Sequence, residues 1–131
     1  MYTHGTLVTA MHGHLAFWGA YGMIVLAFIS YSMPNLTGRK FYDSTTGLLA
    51  FWLSNIGMVG MTVAFGVAGV AQVYLERKVG IEFGVVQQEI QVHFVILAAC
   101  ATLFTTGIGF YIYEFVKYGR PNDEALETIS N

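Results

Sequence analysis

Between Leu48 and Tyr74 the chain carries no Asp, Glu, Lys, Arg or His. About 20 apolar residues suffice to cross the hydrocarbon of a bilayer as a helix, and this run is longer. Two further runs share its character. Leu7 to Met33 is interrupted only by small residues, a few hydroxyls, His12 and His14, and Val92 to Val116 carries His93 near its start and Glu114 near its end. Lipid offers no partner to a peptide N–H or C=O, so each run must satisfy its own backbone and is expected to be helical. The expected fold class is therefore all-α, an integral membrane helical bundle. Its three transmembrane helices lie at about 7–33, 48–74 and 92–116, within a single membrane segment of residues 1–131 that ends in a polar tail, 117–131. Pro34-Asn35 and Thr37-Gly38-Arg39-Lys40 read as the turn and interface that stop the first span. That span is too long for a signal-peptide core and has no Lys or Arg before it, so it reads as mature structure.

Charge supports the same class. Only 11% of residues are charged, against about a quarter in a soluble domain. A net charge of −2 gives no electrostatic reason for a nucleic-acid partner. The basic residues all lie outside the spans: Arg39, Lys40, Lys117 and Arg120 on one side, Arg77 and Lys78 on the other. The excess of positive charge favours an outside N-terminus and a cytoplasmic C-terminus. Tyr42, Trp52, Tyr74, Tyr113 and Tyr118 lie near span ends, as interfacial aromatic belts do. The single cysteine, Cys100, excludes an internal disulfide or a Cys-x-x-Cys site and reads as a small packing residue. Gly57, Gly60, Ala64 and Ala68 in the second span, and Ala98, Thr102 and Thr106 in the third, form rows of small residues at helical spacing. Such rows let helices approach closely, although Gly and Ala are also simply common in membrane helices.

The chemistry is concentrated in His12-Gly13-His14. An ionisable residue inside a membrane span is costly and marks a functional candidate. Successive helical residues turn by about 100°, so positions i and i+2 point in nearly opposite directions. One metal cannot take both imidazoles, because side chains share a helix face at i+3 or i+4. Two separate centres can, one on each side. Imidazole is a common axial ligand of haem iron. Phe17, Trp18 and Tyr21 add flat apolar surface, while Gly13, Ala16, Gly19 and Ala20 leave room for a large planar group. The alternative is that each imidazole only hydrogen-bonds a neighbouring helix. Three helices cannot readily enclose two haems, so a larger assembly is expected.

The residues around this motif resemble a known family. Thr3-His4-Gly5-Thr6 and Met11-His12-Gly13-His14-Leu15-Ala16-Phe17-Trp18-Gly19-Ala20-Tyr21 are similar to the tenth helix of the large (cytochrome b) subunit of bacterial nitric oxide reductase, in the haem–copper oxidase superfamily. Tyr31-Ser32-Met33-Pro34-Asn35-Leu36-Thr37-Gly38-Arg39, Phe51-Trp52-Leu53-Ser54-Asn55-Ile56-Gly57-Met58 and Gln72-Val73-Tyr74-Leu75-Glu76-Arg77 extend the likeness over nearly the whole chain. That large protein is a bundle of about twelve helices, and this chain resembles its last three. The resemblance implies that His12 is the proximal ligand of the high-spin haem b3, and that His14 is one axial ligand of the low-spin haem b. It further implies reduction of two nitric oxide molecules to nitrous oxide and water, with electrons passing from the low-spin haem to a centre of high-spin haem and non-haem iron. The expected location is the bacterial inner membrane, multi-pass.

Departures from the family pattern limit the reading. The non-haem iron needs three His and a carboxylate from helices that this chain does not match, so the iron is expected from elsewhere and the chain is not expected to turn over alone. Expected partners are the remaining helices of the large subunit, in the same or a separate chain, a cytochrome c subunit or quinol as electron donor, and membrane lipid. Two other functions stay open: a quinol-dependent or nitric oxide dismutase variant, and a non-catalytic subunit packed beside a respiratory enzyme. Among other residues, His4 is a candidate for contact with a haem propionate, or else an interface residue. His93 reads as a helix-end histidine. Glu76, Glu82 and Glu89 read as solvated loop carboxylates or as members of a proton path, and Met58 and Met61 as core. Glu114 is expected to snorkel to the interface or pair with Lys117 at i+3.

Overall fold

A computed structural model describes residues 3–37 and 45–118, with side chains for 3–32 and 45–117. Gly38, Arg39, Lys40, Tyr42, Arg120 and the polar tail beyond Tyr118 lie outside the described residues, as does the Tyr118 side chain. The described chain is all-helical, with three helices long and apolar enough to cross a membrane: Leu7–Ser32, Thr45–Val79 and Gln91–Lys117. Span one begins as an α-helix, Leu7–His14, passes through a π-helical stretch, Leu15–Gly22, and resumes as α-helix over Met23–Thr37. Span two is α-helical over Thr45–Gln72 and π-helical over Val73–Val79. A short helix, Phe83–Glu89, precedes span three, Gln91–Tyr118.

The first span runs past its expected stop at Pro34-Asn35. Proline removes one N–H donor but fixes a helical φ, so the last turn closes over it up to Thr37. The second span ends where Gly80 takes φ +80°, a left-handed conformation that costs glycine nothing and a side-chain residue roughly 1–2 kcal/mol. Lys78 sits 5.9 Å over the Tyr74 ring at that end, and Lys117 sits 5.7 Å over Tyr113 at the end of span three. Each pair joins a cation to an amphipathic ring, as suits a membrane–water boundary.

Span two is the hub. It packs antiparallel along span three and, near its own C-terminal end, against the start of span one. The seam with span three is lined by small residues. A Cβ added to Gly57 would strike the Phe104 backbone, one on Gly107 would strike the Ser54 backbone, and one on Gly60 would lie 2.5 Å from Cys100 Sγ. Ala50, Gly57, Ala64 and Ala68 are buried there, as the small-residue row in this span predicts. Lipid is as apolar as the side chains, so the attraction comes from this close van der Waals fit rather than from expelled water. Ser54, fully buried, gives its hydroxyl to Ala50 O at 2.7 Å and Phe51 O at 3.0 Å, which removes the penalty of an unsatisfied group in lipid.

On span three the expected row is on the wrong face. Ala98, Thr102 and Thr106 are exposed, and the seam uses Cys100, Phe104 and Gly107 instead. Thr102 and Thr106 bond back to the carbonyls four residues earlier, so their hydroxyls need no neighbouring helix. Glu114 continues the buried stripe at i+7 from Gly107 and is 1% exposed, so it does not snorkel.

Candidate functional site

His12 and His14 both fall in the regular α-helical opening of span one, before the π-helical stretch. The α-helical rotation of about 200° between them therefore applies. His12 is exposed and lines a cleft of about 410 Å³ with Thr3, His4, Val8, Thr9 and Met11. His4 thus shares a cleft with His12, on one side of the helix. His14 is half-buried, with its ring 4.9 Å from that of Phe65 in span two.

The His14 ring is anchored. Its Nδ1 lies 2.9 Å from Ala10 O, one turn back on the same helix. A carbonyl only accepts, so the proton of this bond is on Nδ1 and the lone pair is left on Nε2. A backbone carbonyl holding one imidazole nitrogen while the other binds metal is the usual support of a metal-ligating histidine. No such bond is found for His12 among the described residues; its ring faces the open cleft. No group of three or more His, Cys, Asp or Glu side chains is gathered for a metal ion among the described residues. Each imidazole is therefore a single donor, and a metal bound to either must take its other ligands from a macrocycle or another chain.

The π-helical stretch begins at the residue after His14. Each π turn holds more residues than an α turn, so side chains beyond His14 are re-aimed relative to a plain α-helix. Trp18 turns toward span three and meets Phe104 edge-on at 5.3 Å. Phe17 and Tyr21 lie 6.5 Å apart and remain exposed, and with Trp18, Gly22, Val25 and Leu26 they line a shallow cleft of about 420 Å³. The aromatic surface expected beside the histidines is present, but Trp18 is shared with span three.

Sequence reasoning missed Gln72. This side chain, 3% exposed, accepts a hydrogen bond from Leu7 N at 3.0 Å and donates one to Glu76 Oε1 at 2.9 Å. Its only signal is an amide near the end of an otherwise apolar run. Of the three acidic residues assigned to the loop, Glu76 is tied into this pair, whereas Glu82 and Glu89 are exposed. His93 is half-buried at the start of span three, and its Nδ1 has no hydrogen-bond partner.

Comparison with known proteins adds two matches. Residues 1–103 match the family described as Cytochrome C and Quinol oxidase polypeptide I. A nitric oxide reductase subunit from Stutzerimonas stutzeri is 36% identical over 127 residues, which cover 91% of this chain and 27% of that relative. The chain thus spans about a quarter of the relative's length.

Proposed function

Because the chain belongs to the cytochrome c and quinol oxidase polypeptide I family, the haem–copper oxidase family, we propose that it is the haem-ligating part of a nitric-oxide-reductase-type catalytic subunit. The observation that carries this reading is the pair of imidazoles on opposite faces of one helix, with His14 presenting Nε2 because Nδ1 is held by Ala10 O. His12 would hold the high-spin haem b3 on the cleft side, and His14 the low-spin haem b on the other. When bound, the haems supply one-electron chemistry at iron and, with a non-haem iron held by other helices, the reduction of two nitric oxide molecules to nitrous oxide and water.

The chain's own residues do the positioning. The helix sets the two imidazoles back to back, so that the two porphyrins are separated by one helix diameter of roughly 10 Å. Ala10 O fixes the His14 tautomer, and Phe65 limits the swing of its ring. Gly13 keeps the space between the two imidazoles free of side-chain bulk, and nothing lies within 4 Å of where its Cβ would be. His4, in the His12 cleft, is placed to donate to a propionate. The partners would be the remaining helices of the large subunit, with a cytochrome c subunit or quinol as electron donor. The setting would be the bacterial inner membrane, N-terminus outside.

The test is an absorption spectrum of the purified, complete assembly. His14→Ala should remove the low-spin haem signal, and His12→Ala should spare it while disturbing the high-spin haem. Equal haem content in both variants and the wild type would overturn the reading and favour a non-catalytic role.

A further inference from the structure

Helix starts leave backbone N–H groups without partners, and the residue before the first turn ordinarily supplies an acceptor. Thr6 occupies that place but does not act so. Its hydroxyl donates to Thr3 O at 2.7 Å, and it makes no side-chain cap bond. The N–H of Leu7 is taken instead by Gln72 Oε1, from 65 residues away on span two. One turn earlier on span two, a Cβ on Gly69 would lie 2.5 Å from Val8 N, so the two backbones touch there as well. Span one is therefore held to span two at its first two residues.

The amide of Gln72 has only one workable orientation. Glu76 Oε1 accepts and Leu7 N–H donates. A flipped amide would set two acceptors against each other at one end and two donors at the other. The Glu76 carboxylate thereby determines which end of Gln72 meets the helix.

Resting on the haem reading above, we propose that Gln72 is a positioning residue for the His12–His14 pair, with Glu76 orienting its amide. Leu7 precedes His12 by about 7.5 Å and His14 by about 10.5 Å along the axis, at 1.5 Å per residue. A helix this short transmits any turn at its start to both rings. With side chains reaching about 5–6 Å from the axis, a rotation of about 10° moves each ring by about 1 Å. The two rings move in opposite directions, so no shift of the helix corrects both. A back-to-back ligand pair therefore needs its rotation fixed, and the Gln72 contact fixes it.

The test uses the complete haem-loaded assembly carrying Gln72→Met, which keeps the volume and loses both hydrogen bonds, together with Glu76→Ala and Glu76→Gln. Three quantities are read: haem content, the principal g-values of the low-spin haem by electron paramagnetic resonance, and hydrogen exchange at Leu7–Thr9. Gln72→Met and Glu76→Ala should keep both haems, displace the largest g-value and speed exchange about fivefold, the effect of losing one hydrogen bond. Glu76→Gln keeps an acceptor for the amide and should restore native g-values. Native g-values in both Gln72→Met and Glu76→Ala would overturn the positioning role while leaving the haem reading intact. Absence of haem from the wild-type assembly would overturn the haem reading itself. Should Gln72→Met fail to assemble, Glu76→Ala alone decides the positioning role by the same two measurements.

Discussion

The seam between spans two and three and the outer face of span one are built on opposite rules. The seam is closed: Gly57, Gly60 and Gly107 bring backbones together until no side-chain atom could be added. Span one beyond its first turns is open, with Phe17 75%, Phe28 69% and Tyr31 73% exposed, and space around Gly13. Both regions are apolar, and composition does not separate them. What separates them is where the small residues meet a partner. The closed seam makes a rigid two-helix frame, and the span that carries the histidines lies against that frame with its large side chains facing outward. Such a face has work to do with something not among these three helices.

Adding bulk at each place breaks or sharpens the contrast. Gly57→Leu should have the largest effect, because its side chain meets the Phe104 backbone, which cannot step aside. We expect a loss of about 3 kcal/mol or more, at or above the usual range for overpacking, read by reversible unfolding in mixed micelles. A loss under about 1 kcal/mol would mean that the seam is looser than described. Gly60→Ala should cost less, about 1–2 kcal/mol, because it meets the Cys100 side chain rather than backbone. Cys100→Ala in the same chain should recover much of that loss, and additive losses in the double variant would exclude the contact. Ser54→Ala removes a hydroxyl satisfied within its own helix, and a cost of about 1 kcal/mol is expected. Gly13→Ala should have the smallest effect on the helices, within about 1 kcal/mol of wild type and if anything stabilising. Gly13→Leu, also unopposed within this trio, should lower haem content in the complete assembly; full occupancy would show that the space beside Gly13 is not used by a macrocycle.

The all-helical membrane class was legible because three apolar runs of sufficient length leave the backbone no other choice. The opposed directions of His12 and His14 were legible too, since they follow from helical rotation alone and the helix is regular at that point. The contact face of span three was not. A helix apolar all round has no polar side to orient it, so Ala98-Thr102-Thr106 and Cys100-Phe104-Gly107 are equally good rows on paper. The π-helical stretch left no trace for the same reason: a change of pitch shows only when apolar and polar faces alternate. Gln72 reaches Leu7 across 65 positions, a pairing that local pattern cannot contain. Glu114 escaped because its i+3 spacing to Lys117 points toward the interface, whereas the buried stripe through Gly107 turns it inward.

The central claim is that one helix holds two porphyrin irons on opposite sides. A density map of the intact assembly around His12, Gly13 and His14 tests it most directly. The account predicts a flat macrocycle against Nε2 of His14 on one face and a second against the His12 imidazole on the other. Both imidazoles packed against protein side chains, with no macrocycle beside either, would contradict it.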